Sequence, residues 1–320
     1  SSAASDVYKR QVFNWSPTFD FRYKFSEQSN LRINYKGTIT QPTMSQLLSI
    51  VDNTDPQNIS VGNPGLKPAF TNNFRLFYNT YKQSHSQALM TFANFSTTRN
   101  AIGNSVTYDA ITGARTIRPV NVNGNWDADA GLMYNTSIDS AGVWNLHTFT
   151  RANFNRYVSY LQLNRTSNLE KNITKSLTLG ERLAASYRTS WLELELDGSV
   201  DYTNTKNNLQ SMSNLRTLQF AYGGTLSLNL PWNMSISTDI HQNSRRGYSD
   251  ASLNTNELLW NAQISQSMLK GNALTFSLQF YDILRQQSNL SRVINSMSRT
   301  DTEYNSINSY IMLRATYRLN

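Results

Sequence analysis

The chain has 320 residues, of which 39% are apolar, 12% aromatic and only 16% charged, and it contains no cysteine. No run approaches the roughly 20 consecutive apolar residues of a membrane-spanning helix, which excludes a helical membrane protein, and the lack of cysteine excludes disulfides and thiolate metal sites. The net charge is +8, but no stretch concentrates Lys and Arg as a nucleic-acid footprint would, so we expect no nucleic-acid partner.

The N-terminal residues differ from the rest of the chain. Residues 1–11 are polar and unpatterned, and we expect a non-native or disordered tail there. From Phe13 onward, aromatic residues at odd positions alternate with Thr18, Asp20, Arg22 and Lys24. This period of two predicts a strand, and residues 12–320 are predicted to form a single β domain.

The same alternation recurs to the end of the chain and predicts about thirteen spanning strands. Its clearest examples lie at 31–39, 126–134, 192–196, 218–228, 274–280 and 311–319. In the last of these we expect Leu313, Ala315 and Tyr317 on the apolar face and Arg314, Thr316 and Arg318 on the polar face. One face of the sheet is therefore apolar and the other hydrophilic.

Connections between the strands are alternately short and long. Short ones are predicted at 26–29, 82–86, 139–142, 188–190, 230–232 and 269–272, and long ones at 40–69, 97–124, 156–172 and 243–254. Short turns on one rim and long loops on the other are typical of an antiparallel transmembrane β-barrel of the outer membrane. Aromatic residues predicted near the short turns suit a membrane-interface girdle: Phe25, Tyr187, Trp191, Trp232 and Tyr317. The alternative is a soluble all-β binding module in which a second sheet covers the apolar face.

An odd strand count is unusual, because single-chain bacterial barrels have even numbers. The chain also begins without Met or a signal peptide. We therefore expect an incomplete barrel lacking upstream strands, with unpaired edges near Phe13 to Phe25 and at Ser309 to Asn320.

Several segments resemble the C-terminal barrel of TonB-dependent receptors, in the Bacteroidota-type outer-membrane β-barrel family. The resemblance covers nearly all of residues 13–320. It is carried by Gln41-Pro42-Thr43-Met44-Ser45-Gln46-Leu47, Asp55-Pro56, Gly62-Asn63-Pro64-Gly65-Leu66-Lys67-Pro68, Thr107-Tyr108-Asp109-Ala110-Ile111-Thr112-Gly113, Phe280-Tyr281-Asp282-Ile283-Leu284 and Tyr317-Arg318-Leu319-Asn320.

The resemblance implies a 22-stranded barrel with an N-terminal plug that imports a scarce nutrient, such as a glycan, a peptide or a metal chelate, using energy from TonB. It also implies outer-membrane lipid, the barrel-assembly machinery acting on the C-terminal strand and a surface lipoprotein as partners. Leu319 stands where such proteins usually have an aromatic residue. Because neither plug nor TonB-contacting segment is expected in this chain, energised transport by the chain alone is not expected. A passive outer-membrane channel is the alternative.

Catalytic and metal sites find little support in the sequence. His85, His147 and His241 are far apart and lack metal-ligand spacing. His147 and His241 fall on the polar face, the latter with Asp239, so a serine hydrolase is conceivable, but these residues do not make a triad. The acidic stripe of Glu193, Glu195 and Asp197 is better read as a solvated face than as paired catalytic carboxylates. We therefore predict no enzyme activity, cofactor or metal, and expect any substrate to bind the long loops and the polar face.

Overall fold

The computed structural model describes residues 15–209, 214–288, 290–294, 299–303 and 308–318. In these residues β-structure predominates, with one short helix, α1 (Met44–Leu47). The strands are β1 (Thr18–Ser26), β2 (Ser29–Thr40), β3 (Val51–Asp52), β4 (Asn58–Val61), β5 (Ala69–Lys82), β6 (Gln87–Arg99), β7 (Ala101–Tyr108), β8 (Arg115–Val122), β9 (Asn125–Ser137), β10 (Trp144–Gln162), β11 (Leu169–Arg188), β12 (Leu192–Asn207), β13 (Leu215–Leu230), β14 (Met234–Arg246), β15 (Asn256–Met268), β16 (Leu274–Tyr281), β17 (Leu290–Ile294), β18 (Arg299–Glu303) and β19 (Tyr310–Tyr317).

Thirteen of these strands form one continuous antiparallel surface, here called the wall, and confirm the predicted number. Its order is β1, β2, β5, β6, β9, β10, β11, β12, β13, β14, β15, β16, β19, each strand paired to the next. The predicted short turns connect alternate pairs on one rim, as between Leu230 and Met234. All-antiparallel pairing follows from connecting neighbours in sequence by hairpins.

Strand pairing sorts the side chains of the wall into an apolar face and a polar face. Leu194 lies between Tyr187 and Leu226, and Leu313 lies opposite Leu278. Arg314 and Thr316 lie opposite Ser277 and Thr275 on the other face, as predicted. Leu196 is 61% exposed and Leu313 70% exposed. Among the described residues, the strands outside the main 17-stranded sheet form only the β17–β18 hairpin, so the two-sheet sandwich interpretation is wrong.

The limits of some elements differ from the sequence-based expectation. The first strand begins at Thr18, because Pro17 has no N–H to give to a ladder, and its carbonyl instead accepts from Gly37 at 2.8 Å. The predicted long loop at 156–172 is mostly strand, since β10 and β11 pair up to Gln162 and Leu169. Phe13 and the predicted tail at 1–11 lie outside the described residues, as do Leu319 and Asn320.

The extended end of β10 supports a second structure, here called the loop layer, made by residues 41–68 and 100–124. In it β7 pairs with β8, β8 runs parallel to β4, and β7 pairs with β10 near Tyr160 and Leu161. Ala101, Val122 and Val158 are buried at this junction. The loop layer therefore has a small apolar core, and the described wall strands away from this junction form no such cluster.

At the two sides of the wall, β1 pairs only with β2 and β19 only with β16 among the described residues. The sheet is open, in agreement with the expected unpaired edges. No helix in the described part of the chain has the length and apolar character needed to cross a bilayer.

Candidate functional site

The polar face of the wall is organised by ion pairs that pass over glycines. Arg151 on β10 and Asp201 on β12 both lie in register with Gly180 on the strand between them. The Arg151 Nη2 and Asp201 Oδ1 atoms are 2.6 Å apart. A Cβ on Gly180 would lie 2.7 Å from Arg151 Nε, so only glycine leaves room for the bridge. A glycine within a strand often marks such a close approach, and this signal was present in the sequence.

His241 makes a similar contact across β13. It lies in register with Gly223, and Gly223 with Asp197. His241 Nε2 is 2.8 Å from Asp197 Oδ1, and its Nδ1 is 3.8 Å from Asp239 Oδ2. Asp239 also accepts a hydrogen bond from Asn261 at 3.0 Å. The structure thus places the predicted His241–Asp239 pair on the polar face and adds Asp197, which sequence spacing did not connect to it.

The arrangement of the histidines does not favour hydrolysis. Asp197 takes the Nε2 position of His241 at which a serine nucleophile would have to be activated. His147 contacts Asn135 through Nδ1, and His85 lies in a 3-10 turn on the short-turn rim. Within the described residues no group of three or more His, Asp or Glu side chains could hold a metal ion.

The acidic stripe on β12 is divided among different partners. Glu193 accepts from Arg188 at 2.5 Å, while Asp197 bonds to His241. Glu195 lies with His147 along a cavity of about 320 Å³. The Asp197 side chain is only 11% exposed, whereas that of Glu193 is 40% exposed, so the stripe is solvated at Glu193 and largely shielded at Asp197. Glu193 and Asp197 are therefore bonded to different strands and do not act as a pair.

The polar face also carries an apolar area that alternation alone did not predict. It is formed by β5, β6, β9 and β10 and is here called the inner patch: Phe77, Met90, Phe92, Met133 and Phe149. Phe77 pairs with Phe92, and Met133 pairs with both Met90 and Phe149. Phe77 and Met90 are exposed. Large exposed apolar side chains on a hydrophilic face indicate contact with a ligand or another protein segment.

Directly beside the inner patch is a polar cavity of about 320 Å³, here called the amide pocket. The cross-strand row Arg75–Asn94–Asp129 lines it, two residues nearer the long loops than the row of Phe77 and Phe92, and Asn153 continues this row on β10. The side chains lining it from the polar face are Asn73, Arg75, Asn94, Ser96, Asp127 and Asp129. Asn94 Nδ2 donates to Asp129 Oδ2 at 2.8 Å, so two of these groups are already fixed in position.

The first loop motif is an anchor of the loop layer. Thr43 and Gln46 form a capping box that starts α1. Asn63 donates from Nδ2 to the Pro119 carbonyl at 2.9 Å, and the Lys67 N–H donates to Asn121 Oδ1 at 2.8 Å. Two loops far apart in sequence are thereby held together.

Two of the other motifs form tight turns. Asp109 accepts from the Ile111 and Thr112 backbones at 3.0 and 2.7 Å, and Gly113 completes the turn with a φ of 72°. Hydrogen bonds from the backbone and side chain of Thr112 hold the pKa of Asp109 below its ordinary value. Asp282 is only 2% exposed and accepts from the Gln286 and Gln287 backbones at 3.0 Å. The motif residues thus shape the long loops.

A sequence model of the outer membrane protein beta-barrel family matches residues 1–173, more than half of the chain. The chain belongs to this family. No curated protein and no solved structure matches it significantly. Membership places the barrel in the outer membrane, where its apolar face contacts lipid and its polar face lines the lumen.

The lipid-facing side of the barrel has aromatic residues at two levels. Near the short turns Trp144 packs against Tyr187, with ring centroids 4.8 Å apart. Nearer the long loops, aromatic rings contact one another across five strands: Tyr35, Phe74, Phe95, Trp126 and Phe154. Ten residues of β10 separate Trp144 from Phe154, which for a strand tilted by about 40° corresponds to roughly 25 Å, the height of the apolar band in such barrels. The predicted girdle residues Phe25, Trp191, Trp232 and Tyr317 are all exposed.

Within this band one lipid-facing position is occupied by a carboxylate. Glu181 lies in register between Thr150 and Val200 and accepts a hydrogen bond of 2.5 Å from the Thr150 hydroxyl. Its neighbours on the same face, Leu179 and Leu183, are exposed. An acidic residue facing lipid is unfavourable, and the hydroxyl offsets only part of its desolvation.

Proposed function

We propose that the chain is the barrel portion of a TonB-dependent receptor that imports a scarce nutrient, acting with the plug and TonB-contacting segments that its resemblance implies. The observation that carries the proposal is the loop layer. The residues by which the chain resembles these receptors, among them Thr43, Asn63 and Asp109, are the ones that hold the loops in place. Loops fixed on a rigid scaffold are suited to capturing a ligand at the outer rim.

The lumen wall supports the same proposal. Beneath the loop layer it presents polar groups held by inter-strand hydrogen bonds, together with the inner patch. A passive channel needs only a hydrated passage, whereas a receptor needs sites that recognise one solute. The wall is non-catalytic in this proposal, because His241, Asp197 and Glu193 are bonded to neighbouring side chains and do not form a catalytic set.

The proposed partners follow from the same assignment. The apolar face contacts outer-membrane lipid, and β19 is the strand presented to the barrel-assembly machinery. TonB acts only through the N-terminal region of the receptor. A surface lipoprotein would dock on the loop layer, where Met44 and Ile50 are exposed.

The test is energy-dependent uptake in the bacterium that encodes the chain. We expect deletion of its gene to abolish growth when one glycan, peptide or iron chelate is supplied at limiting concentration, and growth to return at high concentration. Deletion cells to which the gene has been returned should take up the nutrient again, and should lose this uptake when the proton gradient is collapsed or TonB is removed. Uptake that continues after both treatments would contradict the receptor proposal and support a passive channel.

A further inference from the structure

The inner patch and the amide pocket lie side by side on the polar face. Phe77, Phe92 and Gly131 form one row across β5, β6 and β9, and the row of Arg75, Asn94 and Asp129 lies two residues farther along the same strands. Two residues of strand span about 7 Å. An aromatic surface and a hydrogen-bonding surface are therefore within reach of one small ligand.

The aromatic rings lie against the wall because of a glycine. A Cβ on Gly131 would collide with the Phe92 ring and lie 3.2 Å from Phe149 Cε2, so both rings occupy the space above Gly131. Gly131 is itself buried. Rings laid over the sheet in this way offer a broad apolar surface to the lumen.

The pocket groups are oriented, yet several retain bonding capacity. Asn94 bonds to Asp129 Oδ2 at 2.8 Å, and the Tyr157 hydroxyl donates to Asp127 Oδ1 at 2.8 Å. In the described part of the chain, no hydrogen bond engages Asp129 Oδ1, the Arg75 guanidinium or Asn153 Nδ2. Asp129 Oδ1 and the Arg75 guanidinium are thus an acceptor and a donor available within a cavity of about 320 Å³, and Asn153 lies beside it, paired with Asp129.

This chemistry discriminates among the nutrients named above. The cavity is lined by two carboxylates, Asp127 and Asp129, and one guanidinium, Arg75, so its negative balance of charge disfavours an anionic metal chelate. An extended peptide is bound most readily at a free sheet edge, but β5, β6 and β9 are paired on both sides. A sugar ring has hydroxyls that both donate and accept, and C–H faces that pack on aromatic rings.

We propose that the inner patch and amide pocket form a binding site for a neutral oligosaccharide, an inference that rests on the proposed receptor function and narrows its substrate class. One sugar ring packs on Phe92 and Phe149, and hydroxyls of the adjacent ring bond to Asp129, Asn153 and Arg75. The site is on the barrel wall itself, below the loop layer.

The experiment is calorimetric titration of the full-length receptor, purified in a detergent without a sugar headgroup. The probes are neutral hexasaccharides of glucose, mannose, xylose, galactose and N-acetylglucosamine, with a ferric catecholate and a hexapeptide mixture for comparison. We expect one of the hexasaccharides to bind. Asp129→Ala and Phe92→Ala should each weaken that binding about tenfold or more, as loss of a charged hydrogen bond or a ring contact does.

A matched control exists on the same polar face of the wall, on β14 and β15. Asn261 donates to Asp239 at 3.0 Å, a pair like Asn94–Asp129 but with His241 beside it in place of phenylalanine rings. Asp239→Ala should leave affinity unchanged. Heat-modifiable migration verifies folding, and Asp129→Asn and Phe92→Leu replace any variant that fails it.

The proposal is overturned if no hexasaccharide binds, if only the peptides or the chelate bind, or if the Asp239 control weakens binding as much as the Asp129 variant. Failure of the two proposals can be told apart. If a peptide is taken up in a TonB-dependent way and no sugar binds, only the oligosaccharide site is contradicted. If a sugar binds and its uptake does not depend on TonB, only the receptor function is contradicted.

Discussion

The wall and the loop layer are built from the same strand-rich chain but are stabilised in different ways. In the loop layer and its junction with β10, apolar residues such as Leu66, Val106 and Val122 are at most 3% exposed. In the wall, Leu196 and Leu313 are more than half exposed. The wall is a single sheet with lipid on one side, while the loop layer must exclude water by its own packing.

The difference shows where each region obtains its stability. Wall strands are joined by continuous ladders and by side-chain bridges such as Arg151–Asp201, and their apolar surface is covered by the bilayer. The loop layer depends on a few buried side chains and on amide groups such as Asn63 and Asn121. One substitution should therefore affect one region and leave the other intact.

The largest expected effect is in the loop layer. Leu66 is fully buried, and Leu66→Ala should destabilise the layer by about 2 to 5 kcal/mol because it leaves a cavity. Hydrogen exchange should accelerate at 41–68 and 100–124 and remain slow in the wall. Leu196→Ala is the matched control, since an exposed leucine leaves no cavity. Equal acceleration by both variants would contradict the division into two regions.

In the wall the sensitive change is a charge on the lipid-facing side. Leu196→Arg should reduce the folding free energy in lipid vesicles by up to about 2 to 4 kcal/mol, the cost that a lipid-facing arginine reaches at the midplane. Ser227→Arg, on the polar face of the neighbouring strand and opposite Glu193, should be tolerated. Denaturant titration in vesicles measures both. A similar loss of folding free energy in the two variants would contradict the assignment of the lipid-facing and polar faces.

Glu181 offers a smaller change in the opposite direction. Because its carboxylate faces lipid and has, among the described residues, only the Thr150 hydroxyl as partner, Glu181→Leu should stabilise the folded barrel by about 1 kcal/mol. Asp201→Leu is the contrasting variant on the polar face and should destabilise, since Arg151 loses its partner. The same titration in vesicles tests both, and a loss of stability on Glu181→Leu would show that the carboxylate has a favourable contact.

The smallest expected effect is destabilisation of the Asp109 turn at low pH. The pKa of Asp109 lies below its ordinary value of 3.8, mainly because of the Thr112 hydrogen bonds. The ionised carboxylate therefore stabilises the turn fully above about pH 3.8, and this stabilisation is lost as the pH falls through the lowered pKa. Proteolysis by an acid-active protease at 107–113 should increase below about pH 4. Asp109→Asn should show no such pH dependence in this turn. Unchanged cleavage of the natural chain at low pH would contradict the role of the ionised carboxylate.

Local sequence patterns determined the repeated elements of this protein. Period-two alternation identified the thirteen wall strands and their faces, as at Leu192 to Leu196, because successive side chains of a strand must point to opposite sides. Turn residues located the short rim, as at Asp139 to Gly142. Both signals lie within a few residues of chain, so no knowledge of distant contacts was needed.

Only the tertiary structure decided which side chains meet. The bridge over Gly180 joins residues 50 positions apart. The inner patch forms because four strands each have an apolar residue on the polar face, and strand pairing brings these residues next to one another. The extension of β10 beyond the wall likewise depends on packing of Val158 against the loop layer. Inter-strand register brings these groups together, and since register is set jointly by turns and packing along the whole sheet, no single segment of the sequence contains it.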